Sequence, residues 1–129
     1  MKYVLMIFMD EQGWVTKSEA EQQASMEGYY TFHGELMQSG AYVYGEALSD
    51  STTATVVRVQ EDGTTMTIDG PYAETKEMIA GFYVVEAENL DEAIAWAARI
   101  PDARGGAIEV RPVMVWNEEQ QQRLEDAGR

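Results

Sequence analysis

A chain of 129 residues, 45% of them hydrophobic and 25% charged, has the make-up of one soluble globular unit able to bury a core without staples. Twenty-three acids against nine bases leave a net charge of −14, with no Lys or Arg between Lys17 and Arg58, which excludes a cationic stripe for nucleic acid or anionic lipid over most of the sequence. The absence of cysteine excludes disulfides, thiol nucleophiles and zinc–thiolate sites, and a single histidine excludes most imidazole metal centres.

Tyr3 to Met9 is apolar on both alternations and predicts a central strand covered on two faces. An acid follows at once and no small-residue cleavage site appears, so this is read as a first strand of a cytoplasmic protein rather than a leader. Asp10 to Trp14, with Gly13, reads as a loop. Thr16-Lys17-Ser18-Glu19 fits a capping box and Ser18 with Glu21 offers a second, predicting a helix that runs to Ser39 and stops at Gly40. Met26, Tyr29, Tyr30, His33, Leu36 and Met37 keep the three-and-four spacing expected of its buried face. Strands are predicted over 41–48, 53–59 and 65–68, the last two joined as a hairpin by Glu61-Asp62-Gly63-Thr64, and again over 79–87. A second helix begins at Asn89, buries Ala93, Ile94, Ala97 and Ala98, and ends at Pro101. A last strand over 107–116 closes a domain assigned to residues 1–116. The polar tail 117–129 reads as a short helix capped by Asn117.

The order is β-α-β, an inserted hairpin, then β-α-β. Right-handed crossovers turn it into a ferredoxin-like βαββαβ antiparallel α+β sheet with both helices on one face. The first strand, apolar on both sides, then calls for a second layer, most simply another copy of the chain on the open face. A homodimer of the dimeric α+β barrel type is therefore expected.

The segment Asp69-Gly70-Pro71-Tyr72-Ala73-Glu74-Thr75-Lys76-Glu77 concentrates the candidate chemistry. Asp-Gly-Pro forms turns, since Asp bonds onward amides, Gly takes positive φ and Pro fixes the exit. Lys76 is the only base between Arg58 and Arg99. It either neutralises Asp69 or Glu46 in a structural network, or binds a small anion or carbonyl while Asp69 or Glu74 moves a proton. His33 is either a hydrogen-bonded core residue or a base near neutral pH. Tyr29 and Tyr72, like Trp14, Tyr30, Tyr42 and Tyr44, suit dimer seams and ligand clefts. The cleft so assembled has Asp69, Tyr72, Glu74, Lys76 and Glu77 at its edge and Tyr29 and His33 on its inner wall, with Asp69, Lys76 and His33 the catalytic candidates. No flavin, nicotinamide, P-loop or metal-ligand spacing is present, so no cofactor and no metal are expected. A small-molecule-binding protein or a cofactor-free enzyme of proton transfer, cyclisation or elimination follows. The alternative is a regulatory or interaction dimer whose motif is architectural.

The same segment, followed by Gly81-Phe82-Tyr83 and set beside Gly45-Glu46-Ala47-Leu48 and Gly105-Gly106-Ala107-Ile108-Glu109-Val110-Arg111-Pro112, resembles the DGPF-domain branch of the YCII-related proteins over residues 1–116. The resemblance implies a ferredoxin-like dimer and, in the wider family, a His–Asp pair in a cleft beside the dimer interface. The matching positions here hold Tyr29 and Ile100, so that pair is absent. The branch's association with sigma factors of the extracytoplasmic-function type is what the regulatory alternative draws on.

Overall fold

The computed structural model describes residues 1–128. Strand β1 (Lys2–Met9) lies inside a four-stranded antiparallel sheet ordered β2-β5-β1-β6, with β2 at Tyr42–Ala47, β5 at Met78–Glu86 and β6 at Ala107–Pro112. This is the ferredoxin-like α+β order expected from the sequence. Leu5 stands opposite Tyr83 on one side and Val110 on the other. The period of two therefore sends Tyr3, Leu5, Ile7, Tyr83, Val85, Ile108 and Val110 to one face.

Helices α2 (Glu19–Ser39) and α3 (Leu90–Ala98) cover that face. Of the two capping boxes expected, the one at Ser18 forms, while Thr16 ends the preceding helix: Ser18 Oγ accepts from the Glu21 amide and Glu21 accepts from the Ser18 amide. The core joins Tyr3, Leu5 and Ile7 to Phe32, Leu36, Ala93, Ala97 and Ile100. Each fully buried Leu or Ile in it contributes roughly 1.5–3 kcal/mol.

The buried stripe of α2 is rotated from the one expected. Phe32 and Leu36 are its buried residues, with Tyr29 packed against the core, whereas Met26, Tyr30, His33 and Met37 are exposed. Phe32 wins because its ring fits edge-on between Tyr83 at 5.3 Å and Trp96 at 6.1 Å. In α3, likewise, Ala93 and Ala97 are buried and Ile94 and Ala98 are not.

Residues Asp10–Trp14, expected as loop, instead open helix α1 (Glu11–Thr16), with the Asp10 carboxylate capping the Gln12 amide at 3.1 Å. Six residues with a central glycine carry no periodicity for a sequence reading to find. The inserted hairpin, β3 (Thr55–Val59) and β4 (Thr65–Asp69), forms a separate two-stranded ribbon. Helix α4 (Glu118–Ala127) carries the expected Asn117 cap, and β6 ends at Pro112 rather than at Trp116.

The other face of the sheet lies outside the buried core, and its side chains are mostly half-buried. Val4, Met6 and Phe8 of β1 stand opposite Val84, Phe82 and Ile79 of β5, and Tyr44 of β2 lies against Phe82 at 6.0 Å. Glu109 and Arg111, paired at 2.7 Å, edge this apolar field on β6. Among the described residues no helix is long and apolar enough to cross a membrane.

Candidate active site at the seam of α2 and the turn after α3

Helix α3 is followed by a 3-10 turn, Pro101–Ala103, because Pro101 cannot continue the α-helix but suits the first position of a new turn. The turn is held against α2 at close range. A Cβ at Gly28 would stand 3.2 Å from Pro101 Cγ, closer than an ordinary contact, so glycine lets the two segments approach. One residue further along each segment, Tyr29 Oη donates to Asp102 Oδ2 at 2.5 Å, across 73 positions of sequence. Both side chains are half-buried. Asp102 Oδ1 has no hydrogen-bond partner among the described residues.

Burial first, and the adjoining Asp102 carboxylate second, push the Tyr29 phenol far above its ordinary value. The phenol therefore keeps its proton and acts as a donor, while the carboxylate oriented by it offers Oδ1 as an acceptor. Such a pair can take a proton from an acidic C–H or O–H and return it. Tyr83 is raised in the same direction, by burial first and by Tyr42 second.

Removing the hydroxyl tests the pair energetically. Tyr29→Phe leaves a half-buried carboxylate one donor short, and is expected to cost about 1–2 kcal/mol in a urea titration at pH 7. The pH dependence follows from the sign of the shift. Above pH ~10 an unfolded tyrosine loses its proton while folded Tyr29 keeps it, so wild-type stability falls as pH rises past that point. Tyr29→Phe should show a shallower fall, with Tyr83 contributing the remainder.

A cleft of about 360 Å³ opens on this seam, lined by Gly28, Thr31, Phe32 and Glu35 of α2 and by Arg99, Ile100, Pro101 and Arg104 beyond α3. The Arg99 guanidinium stacks on Trp96 at 4.5 Å and is ion-paired with Glu35.

The residues expected to share one cleft are distributed over three places. Glu74 and Lys76 line a second cleft of about 420 Å³ with Asp10, Glu11, Ser51 and Thr52, in which Glu11 is taken up by the Ser51 amide and hydroxyl at 2.9 and 2.6 Å. Neither Tyr29 nor His33 lines it. Asp69 ends β4 opposite Thr55, and Gly70, at φ 107°, donates to Ala54 O at 2.7 Å, so Asp-Gly-Pro closes the ribbon. Tyr72 lies exposed with the Arg58 guanidinium 5.5 Å above its ring, and half-buried Glu77 accepts from Thr75 Oγ1 through its carbonyl. His33 meets the rings of Tyr42 at 5.1 Å and Tyr83 at 6.1 Å.

Lys76 forms no ion pair among the described residues, and Glu46 accepts instead from Tyr44 at 2.7 Å, so the network expected around Lys76 does not form. Exposure explains this, because water solvates a surface ammonium as well as a carboxylate would. No group of three or more His, Asp or Glu side chains gathers as a metal site among the described residues.

Asp102 is the residue that sequence reasoning missed. The resemblance puts the acid immediately before Pro101, where Ile100 stands fully buried, and the acid that meets Tyr29 lies two positions on. Its signal was its place just after that proline, inside a turn short enough to aim it back at α2.

The fold and this seam define a ferredoxin-like α+β protein with a tyrosine–carboxylate pair beside an open cleft. The chain belongs to the YCII-related family, whose domain model matches residues 1–117. It is 30% identical over 118 residues to an uncharacterised protein of Rhizobium meliloti (strain 1021), covering 90% of this chain and 94% of that one.

Proposed function

We propose that the chain is a small-molecule-binding protein working as a cofactor-free acid–base enzyme, with Asp102 as the base and Tyr29 as the donor that orients it. The observation that carries this is the 2.5 Å contact between Tyr29 Oη and Asp102 Oδ2, whose chain neighbours Gly28 and Pro101 line a cleft. The pair supports enolisation, elimination or ring closure, in which the Asp102 carboxylate removes a proton while the Tyr29 hydroxyl, its one proton given to that carboxylate, holds it in place. In this reading Tyr29 acts through Asp102, and Lys76, Glu74 and Asp69 lie outside the chemistry.

The test is proton exchange. Small carboxylates, phenols and sugars are screened by thermal shift, and compounds that stabilise the protein are incubated with it in deuterium oxide. The wild type is expected to wash deuterium into an acidic C–H of a bound compound, and Asp102→Asn to slow that exchange by about 10²-fold or more. Equal exchange by both proteins would refute the assignment.

A second reading, a regulatory dimer with an architectural motif, is favoured by the Asp69-Gly70-Pro71 turn closing the ribbon and by the apolar sheet face outside the core. Under it no screened compound exchanges deuterium, in the wild type or in Asp102→Asn. In both readings a second copy of the chain covers the apolar face.

A further inference from the structure

We infer that the cleft beside the Tyr29–Asp102 pair binds a small organic monocarboxylate with an apolar body, and that Arg104 is the residue that recognises its charge. For what is done to the ligand this rests on the acid–base reading above; for binding it does not.

Charge gives the first argument. In a chain of net charge −14 with nine basic residues, two guanidiniums, Arg99 and Arg104, line this one cleft. Arg99 is committed, stacked on Trp96 and ion-paired with Glu35. Arg104 forms no ion pair among the described residues. Two cations against one carboxylate leave the lining, of which Asp102 is not part, with a single positive charge, which suits a monoanion rather than a phosphate dianion. The planar guanidinium fork favours a carboxylate held through two parallel hydrogen bonds.

Shape gives the second. Beside Arg104 the lining turns apolar, through Phe32, Ile100 and Pro101, with the Thr31 hydroxyl as a further donor. A volume of about 360 Å³ accommodates a benzoate-sized acid. Gly28 and Pro101, which wall the cleft, are the immediate chain neighbours of Tyr29 and Asp102. A ligand anchored at Arg104 is thus held on the same two segments that carry the proton-transfer pair.

Benzoate, benzamide and inorganic phosphate serve as probes in amide NMR titrations of the full chain. Benzoate is expected to move the Gly28, Thr31 and Arg104 amides at millimolar concentration, while benzamide and phosphate leave them in place. Arg104→Gln should weaken benzoate at least tenfold. Arg58→Gln, which removes the same charge from the distant ribbon, should not. Asp102→Asn should bind benzoate at least as tightly as wild type, so a failed deuterium-exchange test would leave this inference standing. Benzamide or phosphate moving the same amides as strongly as benzoate would overturn it, as would an Arg104→Gln titration that matches wild type, or no response to benzoate at all.

Discussion

Val84→Glu is expected to turn a protein that scatters light at twice the 14.5 kDa chain mass into one that scatters at the chain mass itself, at micromolar concentration. Val84 stands at the centre of the sheet face outside the core, opposite Val4 on one side and Tyr44 on the other. In a lone chain a glutamate there still reaches water, so the fold is retained. In a two-fold dimer the same substitution places two carboxylates in one apolar seam, at a cost of several kcal/mol. The two copies also repel, each carrying a charge of −14, so added salt should tighten the wild-type dimer. A wild type that scatters at the chain mass would remove the dimer from both functional readings.

Gly106→Ala carries the second large effect. A Cβ at Gly106 would collide with Phe8 O and stand 2.8 Å from Asp102 O, both backbone atoms that cannot rotate away. The Gly106 amide also donates to that Asp102 carbonyl at 3.1 Å, tying the end of the turn to the start of β6. Relief requires the turn to move, at about 3 kcal/mol, or a fall in Tm of roughly 10 °C for a domain of this size. The same displacement carries the Asp102 carboxylate away from Tyr29. The altered protein should therefore lose deuterium exchange as well as stability, out of proportion to the methyl group added. Gly34→Ala is the control: it lies within α2, where a Cβ meets nothing within 4 Å, and should be neutral or slightly stabilising. A Tm for Gly106→Ala within a degree or two of wild type would mean that the turn is held less rigidly than its contacts imply.

The fold was legible because its cues are local. The apolar run of β1, the Ser18–Glu21 box, the Asn89 cap and the Pro101 stop each act within a few residues, and each is where the sequence puts it. The rotation of α2 was not legible, because several apolar stripes compete on a helix carrying Met26, Tyr29, Tyr30, Phe32, Leu36 and Met37. Only Tyr83 and Trp96, distant in sequence, select the one through Phe32. The site divides in the same way. Tyr29 was found from a register within one helix, but its partner Asp102 belongs to a contact spanning 73 positions that no periodicity reports. The Asp69–Glu77 segment drew attention through its density of charge, yet Asp-Gly-Pro spends its chemistry closing a turn and Lys76 stands in solvent.

The β3–β4 ribbon shares no strand pairing with the four-stranded sheet, and its base is pinned by the Gly70 amide on Ala54 O. A lone two-stranded ribbon is marginally stable in water. Opening it leaves β1, β2, β5 and β6 in register, so the chain contains two thermal units of unequal strength. Amide protection will follow that division: ribbon amides are released through local opening, whereas those of β1, bonded on both sides, are released only when the whole molecule unfolds. The segment most conspicuous in the sequence is thus joined to an element outside the sheet that carries the seam where Tyr29 meets Asp102.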